Sequence, residues 1–168
     1  PDAKFFTLDT GLFFPETYET WKALEARYGI EIESAHGGMS LARQEALHGP
    51  EFWNRDPEAC CGIRKVKPMR EALVGCGAWV TGLRRDQSPT RANAPKLGWD
   101  KKHGLWKVAP LAEWTDRDVW NYIVEHDIPY NELHDRGYAS IGCTPCTQAG
   151  AGREGRWSGT GRLECGLH

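Results

Sequence analysis

Residues 4–32 read KFFTLDTGLFFPETYETWKALEARYGIEI, and the alternation inside this stretch sets the fold class. Lys4 to Asp9 is a short β-prone run, and Thr10-Gly11 ends it. Pro15, whose fixed φ suits the first helical position, then opens a helix, and Trp21, Leu24 and Tyr28 give that helix an apolar stripe. Gly29 closes it, and Ile30-Glu31-Ile32 reads as a second strand.

The alternation continues downstream. His36-Gly37-Gly38 is a loop before a short helix from Ser40 to Leu47. From Pro57 the pattern is helical through Cys60, Cys61, Val66 and Leu73, with Pro68 expected to break or kink it. Ala78-Trp79-Val80-Thr81 reads as a third strand, Arg84 to Gly98 as a polar loop, and Leu105-Trp106-Lys107-Val108 as a fourth strand. Thr115 with Asp118 three residues on resembles a capping box, opening a helix to about His126. Residues 137–168 are Gly-rich and show no period. Strands separated by helices predict an α/β fold, a mostly parallel sheet flanked by helices. With no internal repeat and no long linker, residues 1–168 read as a single domain, with 147–168 as a mobile tail.

A chain of 168 residues in one domain buries roughly 70% of the surface its unfolded form exposes. Hydrophobic residues make up 40% and charged residues 26%, ordinary globular values that argue against disorder. The net charge of −2 gives no general reason to expect nucleic acid or a membrane surface, although local basic clusters can hold a small anion. The first ten residues lack a signal-peptide layout, and no apolar run approaches the roughly 20 residues of a membrane span. A cytoplasmic protein is expected.

Six cysteines carry more information: Cys60, Cys61, Cys76, Cys143, Cys146 and Cys165. A domain of this size does not need disulfide staples, and cysteine clusters away from secretion more often serve metal or catalysis. Cys60 and Cys61 are adjacent, and Cys143-Thr144-Pro145-Cys146 is a C-x-x-C pair. Two plus two thiolates supply four soft ligands, suited to tetrahedral zinc or to an iron–sulfur cluster. Neighbouring cysteines on a helix diverge by about 100°, which a wider cluster accepts more readily than one zinc ion. The bland alternatives are buried small hydrophobes for the first pair and a thioredoxin-type redox pair for the second. Cys76 has no partner at motif spacing and reads as structural.

Arg64 and Lys65 follow the first pair, where cations would stabilise an anionic group, unless they form a solvated helix face. Near the end stands Glu164-Cys165-Gly166-Leu167-His168, a lone cysteine in poor core surroundings and well placed to react. Its thiolate needs nearby positive charge, for which Arg153, Arg156, Arg162 and His168 are candidates in sequence. Arg84-Arg85-Asp86-Gln87-Ser88-Pro89-Thr90-Arg91 follows a strand, where α/β proteins place ligand loops, and arginine forks suit phosphate and sulfate. Each basic cluster alone is as readily a solvated surface.

Together these pieces resemble the adenylyl-sulfate reductase family over nearly the whole chain. The matching stretches are Leu8-Asp9-Thr10-Gly11, Cys60-Cys61-Gly62-Ile63-Arg64-Lys65, Thr81-Gly82-Leu83-Arg84-Arg85-Asp86-Gln87-Ser88, Ile141-Gly142-Cys143-Thr144-Pro145-Cys146 and Glu164-Cys165-Gly166-Leu167-His168. The double cysteine, C-x-x-C and E-C-G-L-H set in this order is highly specific. The resemblance implies an adenine nucleotide α-hydrolase-like fold, related to the PP-loop ATP pyrophosphatases. It implies that Cys60, Cys61, Cys143 and Cys146 hold a 4Fe–4S cluster, with Lys65 close enough to tune its charge. It also implies that Cys165, on the mobile tail, attacks the sulfur of adenosine 5′-phosphosulfate, releasing AMP and leaving a cysteine S-sulfonate that thioredoxin reduces to free sulfite. Arg91, Arg153, Arg156 and His168 match positions the family uses around the phosphosulfate.

The related phosphoadenylyl-sulfate reductases generally lack the paired cluster cysteines, so these favour the substrate without a 3′-phosphate. A phosphoadenylyl-sulfate reductase with a retained cluster is the alternative within the family. Outside it stands a non-catalytic zinc-binding module, against which the fifth, terminal cysteine argues. The chain departs from the family in starting within the second βα unit, without the upstream strand and its Ser/Gly-rich phosphate loop. Exposed strand edges are the expected consequence, in a fragment of a longer chain or in a homo-oligomer that compensates. No thioredoxin-like domain follows His168, so a separate protein is expected to supply electrons.

Overall fold

The computed structural model describes residues 3–158, 160, 162 and 164–167. The chain divides into two compact units, one built from the residues up to Ala72 together with those from Asn131 onward, the other from Leu73–Tyr130.

In the first unit, β1 (Phe5–Thr7), α1 (Pro15–Tyr28) and β2 (Ile32–Ser34) form the expected strand–helix–strand. The strands pair in parallel, with Phe5 opposite Ile32 and Thr7 opposite Ser34. Pro15 stands in the first turn of α1, and Gly29 ends it at φ 61°, a left-handed conformation that glycine adopts without cost. Glu25 then ties the helix to the second strand by accepting the Ile32 N–H at 2.8 Å.

Helix α2 (Leu41–His48) is capped by Ser40, whose Oγ accepts the Arg43 N–H at 3.1 Å. After α3 (Phe52–Arg55), a continuous helical run passes through α4 (Pro57–Cys61), a π-helical turn at Gly62–Val66 and α5 (Lys67–Ala72). Pro68 does not break this run. The irregularity falls before it, where Lys67 N–H already reaches back five residues to Gly62 O. The hydrogen-bond register is thus shifted at the point where proline withholds its donor.

In the second unit, β3 (Ala78–Val80), β4 (Leu97–Asp100) and β5 (Leu105–Val108) form a sheet in the order β3-β5-β4. β3 runs parallel to β5, whereas β4 pairs with it antiparallel. β4 begins within the stretch expected to be a polar loop and runs past its end at Gly98: Pro95, Lys96 and Gly98 leave only Leu97 and Trp99 to signal it. The hairpin turn is held by Asp100, which accepts from Trp79 Nε1 at 3.0 Å and contacts His103 Nδ1 at 2.7 Å. Burial opposes ionisation of Asp100, but its bond to His103, that group's charge and the Trp79 donor outweigh it and hold the carboxyl below its ordinary value. Helix α6 (Asp116–Glu125) opens with the expected capping box between Thr115 and Asp118, worth about 1 kcal/mol. Leu83, Ala109 and Ala112 pack together as a buried cluster of this unit. Among the described residues no helix is long and apolar enough to cross a membrane.

Candidate active site

The first unit gathers the four cysteines of the two motif pairs around one narrow, largely apolar cavity. Cys60 and Cys61 end α4 where the π turn begins, and both line the cavity although helical neighbours diverge. Cys143 enters from the other side through a bridge to Phe13, and Thr144 N–H donates to Leu12 O at 2.7 Å. A single 3₁₀ turn, Thr144–Cys146, then brings Cys146 to the same wall. Among the described residues no helix follows this C-x-x-C, unlike the layout of a thioredoxin-type redox pair. All six cysteines are free thiols.

Arg64 and Lys65 belong to the same wall and are buried, at 6% and 7% exposure, so the solvated-face alternative does not hold. Buried cations require partners. Arg64 Nε donates to Gln44 Oε1 and Nη1 to Thr10 O, both at 2.7 Å. Its Nη2 is buried without a hydrogen-bond partner. Thr10 also accepts from Cys143 Sγ at 3.4 Å.

Burial pushes the Cys60 thiol up, reinforced by Cys61 and opposed by Arg64. Burial does the same to Cys61 against the pull of Lys65 and Arg162. For Cys146 burial, then Cys143 and Cys61, drive the value up to about 11. These thiols are kept neutral until something cationic enters. In metal-free protein, with a value near 11, about one Cys146 in a thousand is ionised at pH 8. Alkylation of Cys146 is therefore expected to rise about tenfold per pH unit from 8 to 10, measured by mass spectrometry of its peptide. The unfolded thiol ionises first, so this group's stabilisation is intact below about pH 9 and is lost as the pH rises toward 11.

Four thiols, two buried cations, no carboxylate and an unpartnered guanidinium edge make a lining suited to a soft, anionic group. Among the described residues no three His, Cys, Asp or Glu side chains are arranged to hold one metal ion.

Cys165 lies beside this cavity. It is buried and packs with Cys61 and Trp157, with Cys146 and Leu167 against the same cluster. Trp157 takes φ 50°, unusual for a non-glycine residue and costing about 1 kcal/mol. Three guanidinium groups surround its ring, Arg156 at 4.5 Å, Arg162 at 5.7 Å and Arg153 at 5.8 Å from the centroid. The structure thus brings Arg153, Arg156 and Arg162 together near Cys165, and Arg153 also contacts Glu164 at 3.5 Å. His168 lies outside the described residues.

Arg91 belongs to the second unit, where it is buried in the 3₁₀ turn Pro89–Arg91 and donates to Gln87. Arg84 pairs there with Asp86 and Asp116, and Arg85 with Glu113. Carboxylates distant in sequence therefore engage these two arginines.

An open cavity of about 360 Å³ lies at the ends of β1 and β2, lined by residues 9–11, 36–41, 63 and 64. Gly37 must be glycine here, since a Cβ would stand 2.6 Å from Ile63 O. Arg64 walls both this cavity and the thiol-lined one. Sequence reasoning missed Thr10, Gln44 and Trp157 as parts of this site. Thr10 lay within a quoted motif, whereas nothing local marked the other two.

The family model for the phosphoadenosine phosphosulfate reductase domain matches residues 1–149. The adenosine 5′-phosphosulfate reductase of Salinibacter ruber is 50% identical over 173 aligned positions, covering 100% of this chain and 69% of that protein. That of Geobacillus kaustophilus is also 50% identical, covering 100% of this chain and 74% of its own length. A phosphoadenylyl-sulfate reductase from Candida auris, solved with phosphate, superposes with a TM-score of 0.75 at 30% identity, over 87% of this chain and 71% of that one. An FMN adenylyltransferase of Candida glabrata shares the fold alone, with a TM-score of 0.60 at 16% identity, over 87% of this chain and 44% of that one. These likenesses confirm the α/β, adenine nucleotide α-hydrolase-like architecture expected from the motifs. At half identity across its full length to such relatives, this chain belongs to the phosphoadenosine phosphosulfate reductase family.

Proposed function

We propose that the chain reduces adenosine 5′-phosphosulfate to sulfite and AMP, with Cys165 as nucleophile and thioredoxin as electron donor. The observation that carries this reading is the packing of Cys165 against Cys61 and Trp157, beside the guanidinium groups of Arg153, Arg156 and Arg162. Relatives bearing this activity in their names are half identical across the whole chain.

Cys165 Sγ, as thiolate, forms a bond to the sulfonate sulfur while the sulfur–oxygen bond to the phosphate breaks. AMP leaves with that electron pair. An anion attacking an anionic centre needs positive charge, which Arg153, Arg156 and Arg162 supply in this reading. A thioredoxin thiolate then attacks Cys165 Sγ, sulfite departs with the bonding pair, and thioredoxin's second thiol resolves the mixed disulfide. Thioredoxin supplies both electrons. The open cavity at the ends of β1 and β2, at about 360 Å³, falls in the size range of small-molecule sites, and Arg64 is among its lining residues.

Cys60, Cys61, Cys143 and Cys146 would hold a 4Fe–4S cluster, with Lys65 and Arg64 offsetting its negative charge. When bound, such a group contributes fixed charge and cross-links two distant segments. The four thiols line one cavity and supply the soft donor set that such a centre takes.

Anaerobic purification with iron and sulfide analysis tests the centre. A brown protein with about four irons per chain supports the cluster, while a colourless one with equimolar zinc contradicts it. The substrate is tested by competing the two sulfonucleotides. Preference for the 3′-phosphorylated one would move the chain to the second reading, which the Candida auris neighbour represents.

A further inference from the structure

We infer that Tyr18 is a positioning residue for Cys143: it locks the turn between β1 and α1 from which the C-x-x-C segment hangs. The inference rests on the reading of the four thiols as a functional centre and adds to it the device that places one of them.

The turn at residues 9–13 meets Cys143 and its neighbour in several ways. Thr10 Oγ1 accepts from Cys143 Sγ at 3.4 Å, Leu12 O accepts the Thr144 N–H at 2.7 Å, and Phe13 forms an antiparallel bridge with Cys143. The Thr10 carbonyl also takes Arg64 Nη1 at 2.7 Å, from the run that carries Cys60 and Cys61. Whatever sets this turn therefore sets Cys143.

The turn lacks the usual lock at its far end, because Phe14, at the N-cap of α1, has no side-chain acceptor for the first helical N–H groups. Tyr18 takes over that task. It is the fourth residue of α1, where side chains tilt back toward the helix start. Its ring meets that of Phe13 at 5.7 Å, a hydrophobic staple that fixes the angle at which the chain enters the helix. Its hydroxyl donates to Asp9 Oδ1 at 2.9 Å, and the same oxygen accepts the Gly11 N–H at 2.9 Å, closing the turn.

Tyr18 reaches the turn from a fixed post. Trp21 stacks on its ring at 6.4 Å, Glu16 pairs with Arg136 at 2.7 Å, and Thr17 Oγ1 accepts from Asn131 Nδ2 at 3.0 Å. Burial, then the bond to Asp9 and that group's charge, push the phenol up to about 12 against the backbone bond from Phe13, so it stays a donor at neutral pH.

The test labels the anaerobically purified full chain with iodoacetamide, as isolated and after treatment with an iron chelator, and resolves each cysteine peptide by mass spectrometry. Tyr18→Phe keeps the staple and removes one hydrogen bond, so Cys143 is expected to label about fivefold faster, with Cys60 and Cys61 within about twofold of wild type. Tyr18→Leu loses the bond and the ring contact together, and about twentyfold is expected at Cys143. Thr10→Val removes the acceptor of the Cys143 thiol and is expected to give about tenfold. Adding Tyr18→Phe to it is expected to contribute less than about twofold more, because Tyr18 acts through the turn that presents Thr10.

Wild-type labelling of Cys143 in Tyr18→Phe would overturn the inference. Equal acceleration at Cys60, Cys61 and Cys143 would mean general loosening of the unit and would overturn it as well. So would an undiminished effect of Tyr18→Phe in the Thr10→Val background. A wild-type chain that takes up no iron would instead sink the cluster reading, leaving the labelling comparison intact.

Discussion

Cys165→Ser is expected to lower sulfite production by at least about 10³-fold, with the fold and the nucleotide affinity kept. A serine hydroxyl is too weakly acidic to supply an anion at neutral pH. Among the charged neighbours of this region, the guanidinium groups around Trp157 favour a thiolate but cannot accept a proton. Cys165 is also small and packed against Cys61 and Trp157, so the hydroxyl isostere disturbs little volume. Steady-state assays would therefore show the loss in kcat, with half-saturation little changed. A variant retaining a tenth of the wild-type rate would remove Cys165 from the chemistry.

The second large effect is expected at the cavity cysteines. Replacing Cys61 or Cys143 by Ser should reduce bound iron at least tenfold and activity by about 10²-fold or more, read from iron analysis and sulfite assays on anaerobically purified protein. Cys60 and Cys61 sit on the run from α4 into the π turn, whereas Cys143 is reached through Leu12, Phe13 and Thr144. A group held by both pairs therefore cross-links segments about eighty residues apart in sequence, a long loop closure to lose. Cys76, at the approach to β3 in the second unit, is the control: Cys76→Ala should keep iron and activity. Loss of activity with full iron in the Cys61 variant would assign that thiol a catalytic task in place of ligation.

The fold was legible where punctuation is local. Pro15 and Gly29 bracket α1 so clearly that the first strand–helix–strand follows from their chemistry. Thr115 and Asp118 marked α6 in the same way. β4 was hidden because Gly98 and the flanking Pro95 leave too few alternating residues to show a period. That the two cysteine pairs would meet was legible from two motifs of paired thiols, and the four do line one cavity. The state of the nearby cations was not. Lys and Arg are usually solvated, and only the folded chain reveals that Gln44 and the Thr10 carbonyl bury Arg64. Arg84 and Arg85 illustrate the converse. A loop rich in arginine after a strand suggested an anion, yet Asp116 and Glu113 reach these two from the region of α6. Trp157 was one of eight tryptophans with nothing in its surroundings to single it out. Its part in the site comes from a left-handed backbone and from three arginines that are neighbours in sequence and in space.

The central claim is that Cys165 itself takes the sulfonate. The most direct test mixes the anaerobically purified chain with adenosine 5′-phosphosulfate without thioredoxin and determines the mass of every cysteine peptide. The prediction is one added sulfonate on the Cys165 peptide alone, formed as AMP appears and lost, with release of sulfite, when reduced thioredoxin is added. Sulfite formation with Cys165 unmodified throughout, or a sulfonate found on Cys61 or Cys146 instead, would contradict it.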